Sequence, residues 1–195
     1  MSLKILLIDS DPERAQTLAD TLAGAGFSDI LRVTAGGDLV ETVQRLLPDL
    51  VIIDMALPDR DALEDIRALT TRAPRPIVMV ADEDDPAFVA AAIAAGVCSY
   101  NLSGVSHRDI QPIVASAIAL FRRYNHVETE LAVANALLDE RRLIERAKAL
   151  LMRERKMTEP AAYKWLRRTA MDENRKLAQV AAELLKGEGT DERQD

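Results

Sequence analysis

Two apolar runs in this chain end on acids. Leu6-Leu7-Ile8 leads into Asp9-Ser10-Asp11-Pro12, and Val51-Ile52-Ile53 leads into Asp54. A third run, Ile77 to Ala81, is followed at once by Asp82, Glu83, Asp84 and Asp85. Carboxylates gathered at the ends of apolar segments are the raw material of a pocket for a divalent cation or a phosphoryl group, since hard cations take oxygen donors. Ser10, standing between Asp9 and Asp11, raises the question whether such a pocket still takes phosphate. A second group able to do chemistry lies at the other end of the chain. Between residues 141 and 186 there are 13 Lys/Arg against 6 Asp/Glu, an excess of +7, whereas residues 1–120 carry 9 against 18 and the whole chain is at −7. Two segments of opposite sign point to two domains with different partners, the basic one suited to nucleic acid.

The elements that must position the acids alternate strictly. Strands are expected at 3–9, 30–35, 49–55, 76–81 and 97–102, where near-continuous apolar character marks segments buried on both faces. Helical spacing fills the intervals, over 12–25, 39–47, 62–73 and 85–96, with glycines at 24, 26 and 96 as stops and a further helix from Arg108. Strand–helix alternation of this kind gives a parallel sheet covered on both faces, in which ligand chemistry gathers at the carboxyl ends of the strands. Asp9, Asp54 and the Ala81–Asp82 step all fall there.

The helix after the fifth strand carries a seam. Ile113, Ala117, Leu120, Tyr124, Val127, Leu131, Ala134 and Leu138 are spaced alternately by four and three residues, the pattern of a coiled coil and so of a homodimer. Three further helical stretches follow. The second is expected to be capped by Thr158 with Pro160 in its first turn, the third to be capped by Asp172 and stopped by Gly187. Residues 188–195 read as a disordered polar tail. The expected organisation is therefore an α/β domain over 1–120, a coiled-coil linker helix over 113–140, a small three-helix all-α domain over 141–187, and the tail.

A single cysteine, Cys98, leaves no internal disulfide and fits a reducing compartment. No signal-peptide pattern follows Met1, and no apolar stretch approaches the ~20 residues of a membrane span. The expectation is a cytoplasmic protein without a membrane partner. His107 and His126 are isolated, Cys98 lies in a strand, and there is no Gly-rich phosphate loop, so an enzyme is the least favoured class.

Residues 3–120 resemble the receiver domains of two-component response regulators, a five-stranded flavodoxin-like fold. The resemblance rests on the element order and on Leu6–Pro12, on Val51–Asp59 with its loop proline Pro58, and on Ala95–Tyr100. It implies Asp54 as the phosphoacceptor position, Tyr100 as the switch aromatic, and Mg2+ held in an acidic pocket by carboxylates such as Asp9 and Asp54. Three positions depart from the receiver pattern: Ser10 replaces the second acid, Ala81 the hydroxyl that would bind phosphate, and Ser103, followed by Gly104, the neutralising lysine. The acids at 82–85 would further repel a phosphoryl dianion. Asp11 sits one residue along, where a helix-start carboxylate is the simpler reading. Asp54 is thus either a working acceptor served by a histidine kinase or a retained acid in a pocket that no longer switches by phosphate. The second reading is favoured.

Residues 141–185 resemble the ANTAR domain, the RNA-binding antitermination module found downstream of receivers. The matching runs are Ala147–Met152, Ala161–Met171 and Asn174–Ala181. Receiver, long helix and this module together resemble the antiterminators of nitrate-assimilation and amidase operons, the nitrate type being nearer. The resemblance implies hairpins in an mRNA leader as the ligand and a regulatory sensor protein as the partner. The residues agree in kind. Ile144, Ala147, Leu151, Ala162, Leu166, Ala170, Leu177, Val180 and Ala181 recur at helical spacing and make a small core. The other faces hold Arg142, Arg146, Lys148, Arg153, Tyr163, Lys164, Arg167, Arg168, Arg175 and Lys176, cations beside an aromatic that suit phosphates and unstacked bases. Lys148, Tyr163, Arg167 and Lys176 head that set. Each cation taken singly is also readable as an ordinary solvated charge. A DNA-binding factor is the alternative, but no helix-turn-helix with a Gly-containing turn is evident.

Overall fold

The structure, a computed structural model, describes residues 3–56, 60–82 and 85–191; Pro58, Glu83 and Asp84 lie outside them. The chain divides into two units, Met1–Asn125 and His126–Asp195. The first holds five parallel strands, β1 (Lys4–Asp9), β2 (Asp29–Thr34), β3 (Leu50–Met55), β4 (Ile77–Ala81) and β5 (Ser99–Leu102), in the order β2-β1-β3-β4-β5. Between them run α1 (Pro12–Gly24), α2 (Leu39–Leu46), α3 (Arg60–Arg72) and α4 (Pro86–Ala95), and α5 (His107–Glu154) follows the last strand. Among the described residues no helix is long and apolar enough to cross a membrane.

The two-residue period of a strand sorts the apolar runs between two cores. Ile5, Leu7, Leu50, Ile52, Val78 and Val80 face one side, where α1 and the first turns of α5 cover them with Leu18, Leu22, Ile110, Val114 and Ala117. Leu6, Ile8, Val51, Ile53, Ile77 and Met79 face the other, under α2, α3 and α4. The central strands are apolar on both faces because both are covered. Edge strand β2 is only half-buried along its length, which explains its weaker sequence pattern.

This packing corrects the coiled-coil seam. Ala117 is fully buried and Ile113 partly buried in the core of the first unit, so both close the receiver-like sheet and are withdrawn from the outer stripe. The exposed stripe begins at Leu120 and continues through Tyr124, Val127, Leu131 and Leu138, each more than half exposed. Ala134 lies exposed among them.

The second unit comprises the end of α5 with α6 (Glu159–Asp172) and α7 (Leu177–Asp191). All nine apolar residues expected in its core share one cluster, joined by Leu143, Met157, Trp165 and Leu184. Thr158 does precede α6 in extended backbone, although its side chain makes no capping hydrogen bond. Asp172 does not cap α7, being the last residue of α6. Asn174 takes the left-handed conformation at φ 52°, which Asn tolerates better than most residues, and this turn delays the next helix to Leu177. Gln179 reaches back to accept the Lys176 backbone N–H at 3.1 Å, satisfying a donor at the helix start. Gly187 does not stop α7 either. A single glycine costs a helix about 1 kcal/mol relative to alanine, and the helix runs on to Asp191, so the tail expected from residue 188 is helical in its first four positions. Residues 192–195 lie outside the described residues.

Gly96 ends α4 at φ 108°, and a Cβ there would lie 2.5 Å from Thr70 Cγ2. Thr70 is itself held, its hydroxyl donating to the Ala95 carbonyl at 3.1 Å. The left-handed backbone alone costs an L-residue roughly 1–2 kcal/mol, and the clash adds to it. Gly96→Ala is therefore expected to destabilise the first unit by about 2 kcal/mol or more, and urea unfolding followed by circular dichroism measures it.

Candidate functional site

Asp9 is the last residue of β1 and Asp54 the last but one of β3, and the two are register partners across that pair. The strand order reverses at this point, where the crevice of an open α/β sheet forms. Both residues are buried, at 4% and 3% exposure. Two buried acids side by side need a cation, and the chain supplies one from α1. Asp11 is the N-cap of that helix, its carboxylate accepting from the N–H groups of Glu13 (2.9 Å) and Arg14 (3.3 Å). Its own N–H donates to Asp9 Oδ1 at 2.8 Å. This cap fixes the first turn so that Arg14 reaches back over the strand ends. Arg14 Nε donates to Asp9 Oδ2 at 2.9 Å and Nη2 to Asp9 Oδ1 at 2.5 Å, a two-point clamp that guanidinium geometry favours. The same Nε lies 3.2 Å from Asp54 Oδ1. That contact is an ion pair without hydrogen-bond alignment, since the Nε–H is given to Asp9. Asp54 Oδ1 is left buried with no hydrogen-bond partner among the described residues.

The electrostatics of Asp54 follow first from its burial. Burial pushes the Asp54 carboxyl up from 3.8 to about 6; the charges of Asp9, Asp82 and Asp11 add to the rise, and Arg14 opposes it. Arg14 is held still more firmly protonated than usual, first by its hydrogen bond to Asp9 and then by the charge of Asp54.

The remaining receiver positions give phosphate and metal little. Ser10 is exposed, Ala81 is fully buried with its carbonyl accepting the Ser103 N–H at 2.9 Å, and Ser103 faces solvent. Asp85 caps α4, accepting the Ala87 N–H at 3.0 Å, so its charge is engaged with that helix. Tyr100 packs edge-on to Phe88, with centroids 6.3 Å apart. Among the described residues no three His, Cys, Asp or Glu side chains are grouped to hold a metal ion. A Mg2+ site needs near-octahedral oxygen, whereas both oxygens of Asp9 are already taken and Asp11 is turned to its helix. The residues present do not fit that ion.

Arg14 is the functional residue that the sequence reading missed. A signal was available: a cation in the first turn opposes the helix dipole, so Arg14 two residues into α1 and five after Asp9 implies a local anion that holds it.

At the basic end the expected contact residues separate into two sets. Lys148 is buried at 8% exposure, donating to Glu159 Oε1 at 2.7 Å and pairing with Glu145 Oε2 at 2.9 Å. Its ammonium is held charged by those two carboxylates, Glu159 first. Lys148 is a clasp between α5 and the start of α6 and is withdrawn from the surface set. Arg142 pairs with Asp139 at 3.3 Å, Arg153 with Glu154 at 3.2 Å, Arg168 with Asp172 at 3.7 Å, and Arg175 with Glu173 and Glu183. Arg146, Lys164, Arg167 and the Lys176 side chain are exposed and have no ion-pair partner among the described residues. Tyr163, Arg167 and Met171 follow one another at four-residue intervals on the open face of α6, with Tyr163 45% and Met171 72% exposed. Trp165 turns inward and is covered by the Arg155 guanidinium, 4.7 Å from its ring centre.

Asp54 generates a pH dependence of defined sign. Its folded-state value lies above its unfolded one, so the folded state holds the extra proton. The stability this contributes is complete below about 4 and is lost as pH rises through about 6. Asp54→Asn removes that loss. The variant is expected to gain on the wild type by about 1–2 kcal/mol between pH 5 and pH 7.5, read from urea unfolding of both proteins at the two pH values. An equal offset at both would contradict the assignment.

Comparison with known proteins bears on both units. The family model "Response regulator receiver domain" matches residues 5–110, and the model "ANTAR domain" matches residues 132–185. The transcriptional regulatory protein PdtaR of Mycobacterium tuberculosis is 32% identical over 187 residues, 96% of this chain and 91% of that protein. The receiver domain protein of Methanospirillum hungatei superposes with a TM-score of 0.54 at 18% identity, covering 64% of this chain and 99% of that one. The receiver domain of a modulated diguanylate cyclase from Desulfovibrio desulfuricans gives 0.53 at 24% identity, with 63% and 99% covered. These structural likenesses speak to the fold. The chain belongs to the ANTAR-family response regulators, with a receiver domain followed by an ANTAR domain.

Proposed function

We propose that this protein is a transcription antiterminator that binds hairpin RNA in mRNA leaders through its C-terminal helices and takes its signal through the receiver by binding a sensor protein. The observation that carries the RNA half is the outer face of α6, where Tyr163, Lys164 and Arg167 stand exposed together and the two cations have no carboxylate partner among the described residues. Unpaired cations attract phosphates without first breaking an ion pair. An exposed ring beside them offers a stacking surface to a looped-out base, worth about 1–3 kcal/mol. Arg146 and Lys176 extend the same positive character onto α5 and the α6–α7 turn. A leader of small looped hairpins suits this surface better than a duplex, since the exposed ring of Tyr163 can stack only on a base that is out of its helix.

The receiver half of the reading rests on the pocket. Phosphate meets no hydroxyl at Ala81 and no lysine at Ser103, and Arg14 already occupies the carboxylates. Nitrate or nitrite assimilation is the favoured pathway, on the resemblance to that class of antiterminator. The exposed stripe from Leu120 to Leu138 is assigned to a coiled-coil homodimer, its apolar residues recurring at the coiled-coil interval.

Gel shift of a leader RNA carrying tandem hairpins tests the first half. The full chain is expected to bind it in preference to duplex DNA of equal length at moderate salt. Tyr163→Ala and Arg167→Ala are each expected to weaken binding about tenfold, and Arg168→Ala, whose guanidinium has Asp172 beside it, less. Failure to shift the RNA would sink the proposal. Leu131→Glu with Leu138→Glu is expected to halve the mass seen by light scattering. Incubation with acetyl phosphate and Mg2+ is expected to leave the intact mass unchanged; an added phosphate would restore the phosphorelay reading.

A further inference from the structure

We propose that Arg14 is the resident cation of the receiver pocket, standing where a divalent metal would bridge the two strand-end carboxylates and keeping that metal out. The inference rests on the receiver half of the functional reading and is independent of what the C-terminal helices bind. Three observations carry it.

The first is occupancy. Asp9 accepts two guanidinium hydrogens, one on each oxygen, and Oδ1 also accepts the Asp11 N–H. A metal ion approaching Asp9 must displace a clamp of two charge-assisted hydrogen bonds. The second is reach. The same guanidinium lies 3.2 Å from Asp54, so one side chain spans both carboxylates, as a bridging ion would. The third is the donor set. Ser10 brings no charge and Asp11 is committed to the α1 amides, leaving two anionic side chains for one resident positive charge. A divalent ion entering beside Arg14 would add two more positive charges and face its repulsion at ion-pair range.

The helix itself argues that this placement is held by the pocket. Arg14 lies in the first turn of α1, where the dipole disfavours a cation, and it is only partly exposed, at 22% for the side chain. It stays because Asp9 and Asp54 hold it. Removing the guanidinium leaves two buried acids facing one another with nothing between them, the condition under which a divalent ion is welcome.

Manganese serves as the probe, titrated into the full chain and followed by the loss of its free electron-paramagnetic signal. The wild type is expected to take up no Mn2+ below about 5 mM, whereas Arg14→Gln is expected to bind at least tenfold more tightly. Adding Asp54→Asn to Arg14→Gln is expected to abolish the gain. Circular dichroism establishes that each variant is folded. Two results would overturn the proposal: sub-millimolar Mn2+ binding by the wild type that Asp54→Asn removes, or a folded Arg14→Gln that binds no better than the wild type. The wild-type titration stands alone if the variant does not fold. A failed RNA shift with the expected Mn2+ result would reject the RNA reading and leave this one standing.

Discussion

The contact on which the receiver depends is the guanidinium of Arg14 lying across Asp9 and Asp54. The parallel register of β1 and β3 brings those two acids side by side, and the covered faces of the sheet bury them. Burial of paired charge is costly, and leaving one partner uncompensated costs more than the pair itself returns. A cation at that point is thus a requirement of the fold before it is a feature of any signal. The Asp11 cap, the start of α1 at Pro12 and the reach of a long side chain together meet it. The compensation is uneven: Asp9 takes the hydrogen bonds while Asp54 receives charge alone, and burial first, with the charge of Asp9 next, pushes the Asp54 carboxyl up.

Much of the fold was legible because the physics behind it is local. Each buried strand is an apolar run, each helix has its period, and Gly96 stops α4 where the sequence says it should. Apart from the helix stop expected at Gly187, the errors share a cause, in that they concerned where a residue's partner lies. Ile113 and Ala117 fit a heptad as well as any residue in the seam, yet the sheet beneath them claimed them first. Lys148 reads as one more cation in a basic segment until Glu159, eleven residues on in the chain, is folded against it. Asp172 has the composition of a cap, but the left-handed turn at Asn174 moves the helix start beyond its reach.

The acidic pocket divides in the same way. That Ala81 and Ser103 lack a hydroxyl and an ammonium is written in their identities. That Arg14 takes both carboxylates depends on the register of two strands and on the cap that aims the first helix. Composition counted three losses from a receiver pattern, whereas the geometry adds a replacement.

The two units meet their electrostatic requirements by opposite means. In the receiver, two acids share one cation, and the shortage of positive charge fixes Arg14 in place. Within residues 141–186 of the ANTAR unit cations outnumber acids by 13 to 6; carboxylates engage Arg142, Lys148, Arg153, Arg168 and Arg175, whereas Arg146, Lys164, Arg167 and Lys176 are among the exposed cations with no ion pair among the described residues. Surplus charge that the fold does not use is what an anionic ligand can bind without competing with a structural contact. The acids of the second unit thus act as a filter, neutralising the cations that hold the helices together or lie along their edges. Of the uncompensated ones, Lys164 and Arg167 stand with Tyr163 exposed on α6. By the same logic Arg14 is poorly suited to recognise anything from outside, because both of its anions are its own.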